Sequence, residues 1–156
     1  MSDPHSTDRA NRYPWPPILY VVAVVLAYGL ERVWPLPLAY DGLKWPGVLA
    51  TIVGLGIAIA GAGYFRTIGT PIDPTGSAKH LATGGIYKFT RNPMYLGGVI
   101  FFTGLALAFR SGWLLALVPL IAVGLHKLAI EPEEAYLTRR FGDGYAAYCA
   151  KVRRWI

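Results

Sequence analysis

The sequence contains little charge and almost no cysteine. Only 15% of its 156 residues are charged, against about a quarter in soluble domains, and 54% are hydrophobic. The single cysteine, Cys149, excludes an internal disulfide and a cysteine-rich metal site, and we predict no metal centre. The length suits one compact domain and is too short for two ordinary ones. With a mean hydropathy of +0.38, these values indicate a membrane protein.

The net charge of +6 does not favour a nucleic-acid partner. The basic residues form no stripe interleaved with exposed aromatic residues, and they lie beside apolar segments instead. This pattern is typical of a protein that contacts an anionic lipid surface. We therefore expect the lipid bilayer as a partner, and no nucleic acid.

Four apolar segments predict an all-α membrane protein with four transmembrane helices. The first follows "PWPP", whose prolines suit the first turn of a helix, and it lacks a convincing small-x-small signal-peptide cleavage site. The second contains 20 residues without a charge. The last two are shorter and, with the turn "RSG", predict a tight helical hairpin. The predicted spans are about 18–34, 46–65, 94–109 and 113–130, followed by a C-terminal amphipathic helical tail.

The distribution of lysine and arginine predicts the orientation of these spans. The N-terminus, the loop 66–93 and the tail share one side, which holds twelve of the fifteen basic residues. The other side has only Arg32, Lys44 and Arg110. By the positive-inside rule both termini and the long loop are cytoplasmic, in the inner or plasma membrane if the protein is bacterial.

Small residues recur inside the second span, at Gly54, Ala58 and Ala62. Spacing of four is typical of the contact face between closely packed membrane helices. The Gly-x-Gly within "GLGIAIAGAG" has no strand before it, so it does not indicate a dinucleotide-binding loop.

The polar residues gather in the loop "LATGGIYKFTRNP" and in the tail "EPEEAYLTRRFGDGYAAYCAKVRRWI". The tail has apolar and aromatic residues at helical spacing, which predicts a helix interrupted near "FGDG" with basic residues opposite. These residues are Leu137, Phe141, Tyr145, Tyr148 and Val152. The adjacent carboxylates Glu133 and Glu134 suit a cationic or hydroxyl-rich ligand, although a helix-start role after Pro132 remains open.

The two polar segments carry a family resemblance. "HLATGGIYKFTRNPMYLGG", followed about 35 residues later by "EEAYLTRRFGDGYAAYCAKVRRW", resembles the isoprenylcysteine carboxyl methyltransferase and phospholipid methyltransferase superfamily of integral membrane enzymes. One departure is Asn92, which stands where the family has histidine. Asparagine forms hydrogen bonds as a neutral imidazole does, but it cannot shuttle protons near neutral pH.

The resemblance implies a single integral membrane methyltransferase domain over residues 1–156, with its catalytic region at about 80–156. It implies Arg91 and Glu134 as catalytic residues. The implied cofactor-binding residues are His80, Leu81, Gly85, Tyr87, Asn92, Pro93, Tyr95, Gly97, Glu133 and Glu134. Those implied for the substrate are Arg139, Arg140, Tyr145 and Tyr148. For His80, Tyr87, Tyr95 and Arg91 a simpler role at the membrane interface also remains open.

The implied reaction transfers a methyl group from S-adenosylmethionine, leaving S-adenosylhomocysteine, to a lipophilic acceptor that enters from the bilayer. An isoprenylcysteine-type carboxylate is already ionised and needs only an arginine to orient it, whereas a phospholipid amine must lose a proton to a base. Two alternatives stay open. A membrane-embedded NADPH-dependent sterol-type reductase suits the paired glutamates less well, and a non-catalytic membrane scaffold needs neither motif.

Overall fold

The computed structural model describes residue 11 and residues 13–70 and 78–156. In these residues the regular elements are helical, which confirms the predicted all-α class. The helices are α1 (Trp15–Val33), α2 (Lys44–Thr67), α3 (Pro93–Ala108), α4 (Gly112–Leu125), α5 (Glu131–Phe141) and α6 (Asp143–Lys151). Short helical turns add Asp41–Leu43, Gly85–Lys88 and His126–Ile130. Two basic residues used to orient the spans, Arg9 and Arg12, lie outside the described residues.

Three helical stretches in the described residues are long and apolar enough to cross a membrane. They are Trp15–Val33, Asp41–Thr67 and Gly112–Phe141, whereas the apolar helix α3 has only 16 residues. This composition is that of an integral membrane protein. The fourth predicted span, 113–130, lies within the third of these stretches, and the chain stays helical beyond it through Phe141.

A π-helical turn joins α4 to α5 and explains why the helix continues. Pro132 has no N–H, so it cannot bond to the carbonyl four residues back, and its ring would crowd that carbonyl in a regular α-helix. The turn His126–Ile130 is wider there, and the N–H of Glu131 donates to the carbonyl of His126, five residues back. One extra residue rotates the following helix by about 100°. The turn therefore sets the direction in which the side chains of α5 point.

Helices α1 to α4 run up and down, so the bundle has two distinct ends. We name one the site end, where the chain brings together Asn11, Thr67, Pro93 and Ile130. We name the other the turn end, formed by Val33, Lys44, Ala108 and Gly112. At the site end the Asn11 side chain donates to the carbonyl of Ala129 at 3.3 Å, which fixes the start of the described chain beneath the π-helical turn.

Helices α2 and α3 pack against each other through glycines. Helix α2 buries Gly47, Gly54 and Gly61, one every seven residues. A Cβ atom on Gly97 would lie 2.6 Å from the carbonyl oxygen of Gly54 and 2.7 Å from the amide of Ala58. The predicted small-residue face therefore lies at this contact. It also extends to Gly47 and Gly61, which a spacing of four did not include.

The buried side chains form two cores. The first lies among α1, α3, α4 and the π-helical turn, and it includes Ala27, Phe102, Ile121, Leu125 and Ile130. The second lies at the site end, where α6 packs against the turn Gly85–Lys88. It consists of Ala82, Tyr87, Tyr145, Tyr148 and Val152, with Leu137 and Phe141 against it. The apolar face predicted for the tail thus contacts the loop after α2, and the helix breaks at Gly142, whose φ is +49°.

The turn end is held by a set of paired polar groups. The Ser111 hydroxyl accepts from the amide of Leu114 at 3.2 Å, so it caps α4, and it donates to Glu31 Oε1 at 2.9 Å. Glu31 Oε2 accepts from the amide of Leu36 at 3.1 Å. Arg110 pairs with Asp41 and donates to the Leu38 carbonyl, with an Nε–O distance of 2.9 Å. These bonds join the predicted α3–α4 turn to the end of α1 and to the connection between α1 and α2.

Candidate functional site

The start of α3 presents the first group of candidate residues. Pro93 occupies the first turn, where a missing N–H costs nothing. The amide of Asn92 donates to the Thr90 hydroxyl at 3.2 Å, and this turn places Arg91 just before the helix. Tyr95 follows less than one turn into α3 and is buried. The local sequence therefore directs an arginine and a tyrosine toward the site end.

The two glutamates of α5 meet this helix start. The Tyr95 hydroxyl donates to Glu133 Oε1 at 2.7 Å. Arg91 Nη1 lies 3.2 Å from Glu134 Oε1, and both side chains are about 85% buried. The structure thus brings together the two motifs that the sequence separates by about 40 residues.

The C-terminal segment, residues 152–156, crosses the same site. The amide of Arg91 donates to the Arg153 carbonyl at 3.0 Å. The carbonyl of Arg154 accepts from Asn92 Nδ2 at 3.0 Å and from the Thr90 hydroxyl at 3.3 Å. The Asn92 side chain is therefore bonded to the protein's own backbone, and its contribution is to join the helix start to the C-terminal segment.

The side chain of Arg154 also enters the site. Its Nε and Nη2 donate to Glu134 Oε1 and Oε2 at 3.0 and 2.6 Å, which is a two-pronged ion pair. This hydrogen bonding to Glu134 raises the pKa of Arg154, so the guanidinium stays charged. Sequence reasoning missed this residue, because Arg154 was used only as one of the basic residues of the tail and was given no role in the site.

The two carboxylates consequently have different electrostatic surroundings. Glu134 lies between two guanidinium groups, those of Arg91 and Arg154. Glu133 accepts a hydrogen bond from Tyr95, and no Lys, Arg or His of the described residues pairs with it. A partly buried carboxylate without a counter-charge attracts a cationic group, because desolvation leaves its charge poorly compensated. Glu133 is thus the carboxylate available to a cation from outside the chain.

Two buried polar atoms at the site lack a partner among the described residues. They are the Tyr87 hydroxyl and Arg91 Nε. Burial, together with the charge of Glu133, raises the pKa of Tyr87, so its hydroxyl stays protonated and can donate. Unsatisfied buried donors are rare and costly in folded proteins. Both atoms are therefore suited to bind a polar ligand.

The tyrosines of α6 support this arrangement from the second core. The Tyr148 hydroxyl donates to the Tyr87 carbonyl at 2.6 Å, and burial raises the pKa of Tyr148 to about 12. Tyr145 is also buried in this core. Cys149 Sγ lies 2.6 Å from Arg91 Nη1. Of the two tyrosines predicted to contact substrate, Tyr148 thus fixes the backbone around Tyr87, and Tyr145 packs beside it in the second core.

Some predicted site residues lie at the edge of this cluster. The His80 side chain is exposed, and its backbone amide and carbonyl bond to the Thr70 hydroxyl at 3.1 and 3.2 Å. Arg139 is exposed, and Arg140 donates to the Ala78 carbonyl. In the described residues, the ion pairs of Glu134 are formed by Arg91 and Arg154 instead.

Three further predicted residues serve packing in the structure. Gly97 faces Gly54 of α2, so its small size permits helix contact there. Gly85 has φ +55°, and a Cβ there would lie 2.8 Å from the ring of Tyr64. Leu81 packs against the second core. These positions shape the walls near the polar cluster.

Comparison with known proteins agrees with the two motifs. The family model for phospholipid methyltransferase matches residues 43–144. The protein-S-isoprenylcysteine O-methyltransferase of Schizosaccharomyces pombe (strain 972 / ATCC 24843) is 36% identical over 72 residues. That alignment covers 46% of this chain and 30% of the yeast protein, so less than a third of the relative's length is matched. The predicted superfamily is confirmed: this chain belongs to the phospholipid methyltransferase family.

Proposed function

We propose that this chain is a membrane methyltransferase that uses S-adenosylmethionine and acts on a lipophilic acceptor. The observation that supports it is the meeting of Arg91 and Tyr95 with Glu133 and Glu134 at one end of an apolar helical bundle. Family membership over residues 43–144 agrees with this activity. A polar site placed directly against apolar helices suits a reaction between a water-soluble donor and a lipid-soluble acceptor.

The residues present suit S-adenosylmethionine, as judged from their unmet bonding capacity. That molecule carries an ammonium, a carboxylate, two ribose hydroxyls and an adenine. Glu133, which has no counter-charge in the described residues, would hold the ammonium or the ribose. The unpaired donors, Arg91 Nε and the Tyr87 hydroxyl, would hold the carboxylate or another acceptor atom. A nearby apolar wall at Leu81 and the second core would cover the adenine.

When bound, S-adenosylmethionine supplies an electrophilic methyl group on a sulfonium. The chain's own residues then have to orient the reactants and exclude water, and positioning alone can provide much of the rate enhancement. Arg91 and Glu133 orient charged groups, while Tyr145 and Tyr148 close one side of the site against water. Asn92 contributes by tying the helix start to the C-terminal segment, because its side chain is already bonded to the Arg154 carbonyl.

We further propose four membrane crossings, with the site end in the cytoplasm. Helix α3 is about 24 Å long, which is shorter than the roughly 30 Å hydrocarbon layer. It nevertheless runs antiparallel along α2 from Gly61 to Gly47, so both helices occupy the same layer. The positive-inside rule then places the basic site end in the cytoplasm. A lipophilic acceptor would approach from the side, through the bilayer.

The acceptor is either an isoprenylcysteine-type carboxylate or a phospholipid amine. Arg91 suits the first, since a guanidinium orients an ionised carboxylate without any proton transfer. Glu133 suits the second where it holds the ribose rather than the ammonium of the cofactor, because an amine must give up a proton and no Lys, Arg or His of the described residues pairs with this carboxylate. The two acceptors are distinguished by the class of product that receives the methyl group.

The proposal is tested with the detergent-purified protein and S-adenosylmethionine labelled in its methyl group. We expect label to be transferred to a component of a total lipid extract, or to an isoprenylated cysteine derivative, in a reaction that S-adenosylhomocysteine inhibits. Calorimetry is run in parallel with S-adenosylhomocysteine and with NADPH. Binding of NADPH alone would indicate the reductase alternative, and binding of neither would indicate a scaffold.

A further inference from the structure

Arg154 contacts both halves of the site at once. Its guanidinium bonds to the two oxygens of Glu134 at 3.0 and 2.6 Å, and its backbone carbonyl accepts from Asn92 and Thr90. Arg154 Nη1 also lies 3.4 Å from His126 Nε2 in the π-helical turn. One residue thus links α3, α5 and the turn that precedes α5. It lies beyond residues 43–144, the region that the family model covers.

The ion pair with Arg154 determines what Arg91 can do. Glu134 Oε1 lies 3.0 Å from Arg154 Nε and 3.2 Å from Arg91 Nη1, so the two arginines share this oxygen. Arg154 has two hydrogen bonds to the carboxylate, and Arg91 contacts it with one nitrogen only. Without Arg154, the carboxylate would be left with Arg91 as its single cation, and the two would draw together. Arg91 would then turn toward Glu134 and away from the cofactor that it is proposed to bind.

We propose that Arg154 is a positioning residue, which holds Glu134 in place so that Arg91 keeps donors available for the cofactor. The inference rests on the proposed function, because it assigns Arg91 to the cofactor. The inference goes beyond the proposed function because it makes the C-terminal segment a part of the site. Arg154 itself contacts no reacting atom and acts through Glu134.

The first experiment compares Arg154→Ala with Arg154→Lys and with a matched control, Lys151→Ala. Lys151 is exposed at the end of α6, and its replacement removes the same charge from the same part of the chain. We expect Arg154→Ala to weaken S-adenosylhomocysteine binding about tenfold, as coupled neighbouring groups do. Lysine should restore only part of the affinity, because it cannot form the two-pronged pair. Lys151→Ala should bind as the wild type does.

Two further measurements separate positioning from general stability. In a Glu134→Gln background, Arg154→Ala should have little additional effect on binding, since the carboxylate it positions is gone. Added guanidinium ion should raise the affinity of Arg154→Ala and leave Arg154→Lys nearly unchanged. Equal binding by Arg154→Ala and the wild type, or additive effects of the two changes, would overturn the inference.

A ligand-free readout keeps this test separate from the test of the proposed function. Thermal unfolding of the wild type, both single variants and the double variant measures the coupling between Arg154 and Glu134 in detergent. Non-additive melting temperatures support the inferred pair even if S-adenosylhomocysteine fails to bind the wild type, a failure that would count against the proposed function. Additive melting temperatures would overturn the inference on their own.

Discussion

The two ends of the helical bundle carry the same kinds of polar group and differ in how these groups are paired. The turn end has Arg110, Glu31 and Ser111, and all three are bonded to partners within the chain. At the site end, the Tyr87 hydroxyl and Arg91 Nε have no partner among the described residues. Within the part of the chain that the structure describes, the Glu133 carboxylate accepts a hydrogen bond from Tyr95 and has no ion-pair partner.

This difference separates structural polar groups from functional ones. A buried polar group that is fully paired stabilises the fold, and one that is unpaired costs free energy unless a ligand satisfies it. An arginine and a carboxylate at the mouth of an apolar bundle therefore do not identify a site by themselves. The unmet hydrogen bonds are the feature that favours a site at one end, and matched substitutions at the two ends can test this distinction.

The largest effect is expected from removing the arginine of each end in turn. Arg91→Ala should lower methyl transfer about a thousandfold or more, since it removes an electrostatic group from the site, while the protein stays folded in detergent. Glu134→Ala should behave in the same way. Arg110→Ala removes a paired arginine at the turn end and should keep its activity with a lower melting temperature. Methyl-transfer rates and thermal unfolding of the three variants provide the measurement.

Full activity of Arg91→Ala and Glu134→Ala would contradict the site assignment. A loss of activity in Arg110→Ala equal to that in Arg91→Ala would contradict the comparison itself. In that case both ends would act through the stability of the bundle.

A smaller effect is expected from neutralising one carboxylate at each end. Glu133→Gln keeps the size of the side chain and its bond to Tyr95 but removes the charge that a cationic ligand needs. We expect S-adenosylhomocysteine to bind about a hundredfold more weakly, as when a buried charged pair loses one partner. Glu31→Gln is the control at the turn end and should leave binding unchanged. Calorimetry on both variants, compared with the wild type, measures the difference.

The smallest effect is expected from deleting one hydroxyl at each end. Tyr87→Phe removes a donor without a partner in the described residues, so stability should hold or rise slightly while ligand binding weakens severalfold. Ser111→Ala removes the cap of α4 and should cost about 1 kcal/mol of unfolding free energy with unchanged binding. Tyr87→Phe should therefore weaken ligand binding without lowering the melting temperature. Ser111→Ala should lower the melting temperature without weakening binding. The same response in both variants would show that the Tyr87 hydroxyl is only structural.

Much of the fold could be predicted because a bilayer leaves few choices to an apolar segment. The uncharged run after Pro46 leads directly to α2, and "RSG" leads to the α3–α4 turn, since a backbone in lipid has to satisfy its own hydrogen bonds. The sequence motifs also predicted that Tyr95 and Glu133 belong to one site, and the structure places them 2.7 Å apart.

Other features could not be predicted, because they depend on where distant segments meet. The pairing of Arg154 with Glu134 requires the path of the C-terminal segment, and the unpaired hydroxyl of Tyr87 can be recognised only once its surroundings are known. The sequence does contain a signal for the continuation of α4 into α5. Pro132, just after an apolar helical run, suggests a local widening, and sequence reasoning used it only as a helix start.

The heptad spacing of the glycines between α2 and α3 has a consequence for assembly. A repeat of seven residues means that sliding one helix along the other by about 10 Å would again bring glycine opposite glycine. The glycine contacts alone thus allow more than one alignment of α2 against α3. The contacts at the helix ends decide between these alignments. The ion pair between Arg110 and Asp41 joins the end of α3 to the turn before α2, so it selects one alignment of the two helices.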